Sequence, residues 1–237
     1  MIENDEGFRA EEAAGVSDPS VRRLPRTPVV TTLLVANAVV FLLWSWPDVP
    51  TSIMVENFLV SWPHLLEGRV WVLITSVFSH NLLLHLVINM VVLLSFGKPM
   101  ELLMGRGRFL KFYLLAGLVA SVAHAVTSRF LLDRPDLPAL GASGALAGTL
   151  MLFSFSFPKA KVFFLFFIPV PAILAALAFI AIDVWGLVAQ IGGGTLPIGH
   201  GAHLGGALVG ILYYWTRGGP LRDRRRQLNL GMSSSPQ

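Results

Sequence analysis

The chain alternates between long apolar segments and short polar blocks. A membrane-spanning helix needs roughly 20 apolar residues to cross about 30 Å of hydrocarbon. Segments of about this length predict six such helices, at residues 29–46, 82–96, 109–126, 143–157, 172–191 and 200–215. The pattern therefore predicts an all-α polytopic membrane protein built as a six-helix bundle.

Two regions between these segments depart from the regular pattern. Pro169 and Pro171 interrupt an apolar stretch that begins at Val162, and proline breaks a helix interior. We therefore expect a buried or re-entrant segment before the fifth helix begins at residue 172. The first loop, residues 47–80, is long for a connection and rich in tryptophan, leucine and valine. It is expected to pack on the bundle or to enter the outer leaflet.

Composition supports a membrane protein. Hydrophobic residues make up 54% of the 237 residues, charged residues make up 14%, and the mean hydropathy is +0.66. A soluble domain of this size carries more charge on its surface. The absence of cysteine excludes disulfides, thiolate catalysis and cysteine-ligated metals. The sequence pI of about 9.9 does not indicate a nucleic-acid partner, because the basic residues flank apolar segments as topology signals do.

The basic residues also orient the bundle. Of the 18 lysines and arginines, all except Arg69, Arg129 and Arg134 fall on one side of the predicted helices. The positive-inside rule places this side, with both termini, in the cytoplasm, as an even number of helices requires. Short loops and compact polar ends favour a bacterial inner membrane. The expected parts are a cytoplasmic tail, a six-helix domain and a basic cytoplasmic tail, at residues 1–28, 29–217 and 218–237.

This topology brings polar residues from three helices to one face of the membrane. The second, fourth and sixth helices run in the same direction, so their N-terminal ends lie together at the outer face. The fourth helix, with roughly 15 residues, spans only about 22 Å, so its first residues are expected below the outer surface. The polar residues at these helix starts are His80, His85, Asn89, Ser143, His200 and His203.

Serine and histidine in this setting indicate hydrolytic chemistry. A serine hydroxyl becomes a nucleophile when a base takes its proton, and neutral imidazole is the usual base near pH 7. We expect Ser143 to be the nucleophile and His203 its base. The Ser143 backbone N–H at a helix start, with His85 and Asn89 on one face of the second helix, could hold the oxyanion. This chemistry requires no metal or other cofactor.

Glycines around the serine allow backbones to approach closely. Gly141 and Gly144 permit a sharp turn into the fourth helix. Small residues also recur every four positions on two helices, and such faces let membrane helices pack closely. These residues are Gly144 and Gly148 on the fourth helix, and Ala202, Gly206 and Gly210 on the sixth.

Plainer explanations exist for each of these residues alone. A Gly-Ala-Ser-Gly string can be a helix-packing surface, and histidines near a membrane surface, such as His64, His80 or His200, can simply be interfacial. His124, deep in the third helix, is expected to make a structural bond to a neighbouring helix. Asp183 is an intramembrane acid, which either orients a histidine as an auxiliary group or only pairs near the outer end of the fifth helix.

Two other function classes compete with a serine hydrolase. A metal-dependent membrane protease would use His80, His85, His200 and His203. The chain has no His-Glu-x-x-His motif, however, and no inward carboxylate is expected beside these histidines. The other class is a non-enzymatic binder or transporter of membrane proteins.

Three motifs stand in order at the helix starts: His80-x4-His85-x3-Asn89, Gly141-x-Ser143-Gly144 and Ala202-His203-x2-Gly206-x3-Gly210. The pair Glu101-x3-Gly105 after the second helix also fits. With these motifs the chain resembles the rhomboid intramembrane serine proteases over roughly residues 29–217. The sequence around His203 is similar to that of the mitochondrial branch. The six-helix core without an additional N-terminal helix instead resembles the bacterial form. Inactive relatives typically lose the serine or the histidine, and this chain has both.

The resemblance implies a Ser–His dyad without a third acid. It assigns His85, Asn89 and the Ser143 amide to the oxyanion hole, and makes the first loop a membrane-embedded element. It further implies that the substrates are transmembrane segments of membrane proteins, cut near the outer boundary, and that the fifth helix is a side gate.

Two positions depart from the family pattern. Val72 follows Trp71 in the first loop, where rhomboids often carry an arginine, so the polar anchoring of that loop is expected to differ. Ala147 stands where many bacterial members place a tyrosine under the histidine ring. His203 must therefore be oriented by another group.

Overall fold

In the computed structural model, the described part of the chain, residues 26–164, 168–194 and 198–233, forms nine helices and one pair of strands. A π-helical turn at Leu93–Gly97 lies within α5, and a short 3-10 turn at Ser76–Phe78 follows α4. This architecture confirms the prediction of an all-α polytopic protein. The elements are α1 (Pro28–Ser45), α2 (Thr51–Phe58), α3 (Trp62–Leu66), α4 (Val72–Thr75), α5 (Leu83–Met104), α6 (Arg106–Phe130), α7 (Ser143–Ser156), β1 (Lys161–Phe164), β2 (Ile168–Pro171), α8 (Ala172–Ile191) and α9 (His200–Ser233).

Each of the six predicted segments is helical. Within the described ranges, α1, α5, α6 and α8 are long and apolar enough to cross a membrane. The fourth segment, α7, has only 14 residues, in agreement with the expected short helix. The sixth segment is the first part of α9. Helix α8 begins and ends at the predicted residues, because prolines precede it and glycines follow it.

Three helices continue beyond their apolar segments. Helix α5 reaches Met104, α6 reaches Phe130 and α9 reaches Ser233. The extensions of α5 and α9 contain arginines, leucines and methionines, which favour helix outside the hydrocarbon as well as within it. Helix α9 also continues through Gly218, Gly219 and Pro220. A hydrophobic segment therefore predicts the position of a membrane helix better than it predicts the last residue of that helix.

A helix continues where the polar tail was expected from residue 218. Leu221 is buried, Arg224 donates a 3.3 Å hydrogen bond to the Met104 carbonyl oxygen, and Arg225 donates to the carbonyl oxygen of Ser156. Cations are stabilising at the C-terminal ends of helices, here those of α5 and α7. The remaining parts of the predicted tails lie outside the described residues, at 1–25 and 234–237.

The stretch before α8 is not buried within the protein, which was one of the two predicted alternatives. Strands β1 and β2 pair there as an antiparallel hairpin. Phe163 is 65% exposed and Ile168 is 51% exposed, so the hairpin is not buried within the protein. Its two prolines exclude a helix but are compatible with an edge strand. Residues 165–167, which fall in the same prediction, lie outside the described residues.

The long first loop is folded around Arg69. This side chain forms ion pairs with Glu56 and Glu67, with N–O distances of 3.0 and 2.9 Å. The hydrogen bond that Arg69 donates to the Glu56 carboxylate raises the pKa of the guanidinium. The indole Nε1 of Trp71 donates to the Asn57 side-chain oxygen at 3.1 Å. These contacts join α2 to the turn that leads into α4.

The polar contacts of this loop thus involve Arg69, which lies before Trp71 in the sequence. Val72, which follows Trp71, is fully buried. On the outside of the same loop, Leu66 and Val70 are 74% and 63% exposed. Exposed leucine and valine in an otherwise folded loop suit contact with lipid, as expected for a membrane-associated loop.

Helix α7 lies at the centre of the bundle, in contact with α5, α6, α8 and α9. A Cβ atom on Gly206 would overlap the carbonyl oxygen of Gly144, and one on Gly210 would overlap that of Gly148. The backbones of α7 and α9 therefore touch with no side chain between them. The small residues named on these two helices lie at this contact, which fixes the distance between the starts of the two helices.

Glu101 fastens the start of α1 to the end of α5. Its side chain is 2% exposed, and its two oxygens accept hydrogen bonds from the backbone N–H groups of Val29 at 3.1 Å and Val30 at 2.8 Å. These N–H groups belong to the first turn of α1 and have no acceptor within the helix. A carboxylate at a helix N-terminus also interacts favourably with the helix dipole.

We expect Glu101→Gln to lower the free energy of unfolding by about 1–3 kcal/mol, because the amide can accept only one of the two N–H bonds and carries no charge. Thermal or denaturant unfolding in detergent measures the change. Asp133→Asn makes the same acid-to-amide change on a side chain that is 95% exposed and should shift stability by less than about 0.5 kcal/mol. Equal stability of the two variants would contradict the capping role.

Candidate active site

Ser143 and His203 meet at the starts of two touching helices. Ser143 is the first residue of α7, and His203 lies in the first turn of α9. The distance from His203 Nε2 to Ser143 Oγ is 2.9 Å. This is the separation expected for a nucleophile and its base. The glycine contacts between α7 and α9 bring the two side chains together across 60 residues of sequence.

The other side of the His203 ring is held by α8. Its Nδ1 lies 2.9 Å from Asp183 Oδ1, and the Phe179 ring lies 5.5 Å away between centroids. Phe179 and Asp183 are four residues apart and so share one face of α8. Ala147 is buried and brings no ring to this site. The groups next to the His203 ring on this side therefore come from α8, and Asp183 is in contact with a histidine.

His85 and Asn89 of α5 line the same cavity as Ser143 and His203. The His85 ring lies against Gly141, where an added Cβ would come within 2.7 Å of the ring carbon Cε1. Gly141 has a φ of +118°, which glycine adopts readily. One amide hydrogen of Asn89 is used in a 2.8 Å bond to the His85 carbonyl oxygen. An amide group has two hydrogens, so the second can serve a ligand.

His80 lies behind His85 and is fully buried, which excludes the interfacial alternative for this residue. The two rings are 4.9 Å apart between centroids, and the Ala142 N–H donates to His80 Nε2 at 3.5 Å. Burial, with a smaller effect of His85, lowers the pKa of His80 to about 4. The ring is therefore neutral near pH 7 and supports the backbone immediately before Ser143.

Ser143 and His203 open onto a cavity of about 990 Å³. Ile88 and Phe96 of α5 and Ile182 of α8 are among the apolar side chains that line it. The same lining includes the polar side chains of His85, Asn89, Ser143 and His203. A cavity with apolar walls and a small convergent polar set is typical of a binding or catalytic site.

Two other predicted histidines lie outside this group. His124 is buried, and its Nε2 lies 3.0 Å from the Leu137 carbonyl oxygen, so its structural partner is a loop rather than a neighbouring helix. His64 makes a corresponding 2.9 Å contact through Nδ1 with the carbonyl oxygen of Leu59.

The four histidines considered for a metal site do not form one cluster. Among the described residues, one group of side chains could hold a metal ion: Asp183, His200 and His203. Their potential ligand atoms all lie within 4.8 Å of one another. The expectation of no carboxylate beside these histidines is therefore wrong. The two Nδ1 atoms lie 2.6 and 2.9 Å from the same carboxylate oxygen. Ligands of a tetrahedral zinc ion, each about 2.0–2.2 Å from the metal, would be about 3.3 Å apart, so these distances fit hydrogen bonds better.

Sequence reasoning missed the contacts made by Phe179 and the cap made by Glu101. Phe179 is one of many apolar residues in α8 and carries no distinguishing signal in the sequence. Glu101 was noted only through its spacing to Gly105. The available signal was the position of this acid directly after an apolar segment, because an acid that becomes buried there needs a hydrogen-bonding partner.

Comparison with known proteins shows which family this membrane protein belongs to. A family model described as the Rhomboid domain matches residues 67–220. The chain belongs to the rhomboid family. Family membership supports an intramembrane protease function.

Three curated relatives are similar over most of this chain. RHOMBOID-like protein 12, mitochondrial, of Arabidopsis thaliana is 37% identical over 201 residues, covering 80% of this chain and 58% of that protein. Rhomboid protein 1, mitochondrial, of Saccharomyces cerevisiae is 34% identical over 192 residues, covering 79% and 52%. Presenilin-associated rhomboid-like protein, mitochondrial, of Mus musculus is 33% identical over 193 residues, covering 78% and 47%. The chain spans about half the length of the curated relatives it matches.

The prediction of a bacterial inner membrane is wrong, because these relatives are mitochondrial proteins and point away from a bacterial plasma membrane. The multi-pass membrane character is supported. Positive charges report which side of a membrane a segment faces. They do not identify the membrane, and the similarity of the His203 motif to the mitochondrial branch was the better signal.

Proposed function

We propose that the protein is an intramembrane serine endopeptidase that cleaves transmembrane segments of membrane proteins. The observation that carries the proposal is the 2.9 Å approach of His203 Nε2 to Ser143 Oγ beside an apolar-walled cavity. Membership of the rhomboid family supports the same function.

The proposed reaction proceeds through an acyl-enzyme. Ser143 Oγ attacks the scissile carbonyl carbon while His203 Nε2 takes the hydroxyl proton. The resulting imidazolium gives this proton to the nitrogen of the leaving amine as the C–N bond breaks. A water molecule then attacks the acyl carbon with His203 again as base, which releases the new carboxyl terminus and restores the serine.

The proposed oxyanion donors are the side chains of His85 and Asn89 and the backbone N–H of Ser143. All three residues line the cavity. The Ser143 N–H is in the first turn of α7, where backbone donors lack acceptors within the helix and the dipole favours negative charge. One such donor is typically worth about 10²–10³ in kcat.

The proposed substrates reach Ser143 from the lipid. At 1.5 Å per residue, the 14 residues of α7 span about 21 Å, less than the hydrocarbon core, which supports a position of its first residue below the outer membrane surface. The cavity walls from α5 and α8 are apolar, as a transmembrane segment requires. Water needed for hydrolysis is expected to gather at the polar part of the same cavity.

We expect chelators to leave proteolysis unchanged, because the proposed chemistry uses no metal. The measurement is cleavage of a single-pass reporter by the full chain in liposomes, with and without a strong chelator of divalent cations. Loss of activity that returns on adding zinc would favour a metalloprotease instead, for which Asp183, His200 and His203 are the group of side chains brought together among the described residues. Binding of the reporter without any cleavage would favour the alternative of a non-enzymatic binder.

A further inference from the structure

Asp183 is a buried acid on the fifth predicted membrane helix. Its side chain is 4% exposed, and most of its neighbours along α8 are alanine, leucine, isoleucine and valine. An intramembrane carboxylate is costly unless polar groups compensate it. Its compensation comes from two histidines of one helix: the Oδ1 atom lies 2.6 Å from His200 Nδ1 and 2.9 Å from His203 Nδ1.

The hydrogen positions on His203 follow from its partners. As a base for Ser143, its Nε2 must be free of a proton and accept the hydroxyl hydrogen. The ring proton then resides on Nδ1 and donates to Asp183. This tautomer is the one that a carboxylate at Nδ1 stabilises.

The hydrogen positions on His200 follow from its surroundings. Its Nε2 is buried and has no hydrogen-bond partner among the described residues. It faces Gly186, where a Cβ atom would overlap the ring. A proton on this nitrogen would be an orphaned buried donor, which is costly. The proton therefore resides on Nδ1, and His200 donates to the same carboxylate oxygen as His203.

We propose that Asp183 and His200 are positioning residues for His203. Asp183 fixes the His203 tautomer and lies against the imidazolium that forms when Ser143 loses its proton. His200 holds the carboxylate in place from the opposite side. This arrangement adds an acid as a third member to the Ser–His dyad that the family resemblance implies. The proposal rests on the proposed protease function.

The charges balance throughout the proposed step. Before attack, one carboxylate accepts hydrogen bonds from two neutral rings. During attack, the Ser143 proton moves to His203 Nε2, so that the imidazolium is paired with Asp183 and the new negative charge is on the oxyanion. Asp183 itself stays unprotonated. Without it, a cationic ring would form beside the apolar Phe179 with no adjacent counter-charge.

Asp183→Asn tests the acid while keeping its size. We expect kcat for the liposome reporter to fall about 10²–10⁴-fold with KM changed less than about threefold, because substrate binding does not involve this group. The rate at which a fluorophosphonate labels Ser143 should fall in parallel. Ser128→Ala, which removes a buried hydroxyl bonded within α6, is the control and should retain wild-type kcat.

A pair of variants tests His200 separately. His200→Leu removes the Nδ1 donor and should lower kcat about 10–100-fold, the effect of one hydrogen bond to a charged group. His200→Asn places an amide nitrogen near the former Nδ1 and should restore kcat to within about threefold of wild type. Thermal unfolding of all variants checks that they are folded.

The outcomes separate this proposal from the proposed function. Wild-type kcat in folded Asp183→Asn, with Ser143→Ala inactive, would overturn the role of Asp183 and leave the protease intact. Equal losses in the leucine and asparagine variants of His200 would overturn its role as a donor. If Asp183→Asn fails to fold, the His200 pair decides. Cleavage by Ser143→Ala would overturn the proposed function itself.

Discussion

Ser143→Ala is expected to reduce cleavage of a transmembrane reporter to background, a loss of about 10⁴–10⁶ in kcat. The substitution removes the nucleophilic oxygen and its bond to His203 Nε2, and it leaves a residue that suits a helix start within an alanine- and glycine-rich stretch. Reporter cleavage in liposomes measures the loss. His203→Ala should lose activity to a similar extent, because nucleophile and base act as a unit.

A matched control exists on the same helix. Ser154→Ala makes the same substitution near the opposite end of α7, where the serine is fully buried and its hydroxyl has no partner among the described residues. Removing an unpaired buried hydroxyl costs little. This variant should cleave like the wild type, and comparable activity in Ser143→Ala would contradict the nucleophile assignment.

Gly206→Ala is expected to lower activity by about 10² or more and to destabilise the bundle. The new Cβ would overlap the Gly144 carbonyl oxygen, so α7 and α9 must move apart. Ser143 and His203 lie at the starts of these helices, and a misplacement of about 1 Å can cost about 10²-fold in rate. Reporter cleavage and thermal unfolding in detergent measure the two effects.

Gly219→Ala, on the same helix, provides the comparison. A Cβ at Gly219 has no neighbour within 4 Å, so this substitution should leave cleavage unchanged. Full activity and stability of Gly206→Ala would mean that the α7–α9 contact does not set the distance between the serine and the histidine.

The membrane helices were predictable because hydrocarbon imposes a length and a composition on any segment that crosses it. The parallel direction of the second, fourth and sixth helices follows from topology alone, and it placed Ser143 and His203 near one another before any packing was known. The small-residue faces were also visible in the sequence, because glycine spacing has a direct steric meaning.

Other contacts could not be predicted because they depend on tertiary packing. The carboxylate of Glu101 caps a helix 71 residues away, and a single sequence does not reveal which helix end an acid will reach. The hairpin before α8 has the apolar composition of a membrane segment, and only its prolines indicated otherwise. Helix ends were missed where charged residues continue a helix beyond the hydrocarbon.

The role of Asp183 was only partly predictable from the sequence. Its burial in an apolar helix was visible, and the absence of a ring at Ala147 showed that His203 needed another support. Which histidine the carboxylate contacts depends on how α8 rotates against α9. The structure brings it to two histidines, His200 and His203, so one carboxylate serves both.

The central claim is that Ser143 is a nucleophile activated by His203, and fluorophosphonate labelling tests it most directly. The reagent phosphonylates an activated serine, and mass spectrometry of the labelled chain identifies the modified residue. Wild type and Ser154→Ala should be labelled at Ser143, His203→Ala should be labelled far more slowly, and Ser143→Ala should not be labelled. Labelling of Ser143→Ala at the wild-type rate, or equal labelling of Ser143 without His203, would contradict the account.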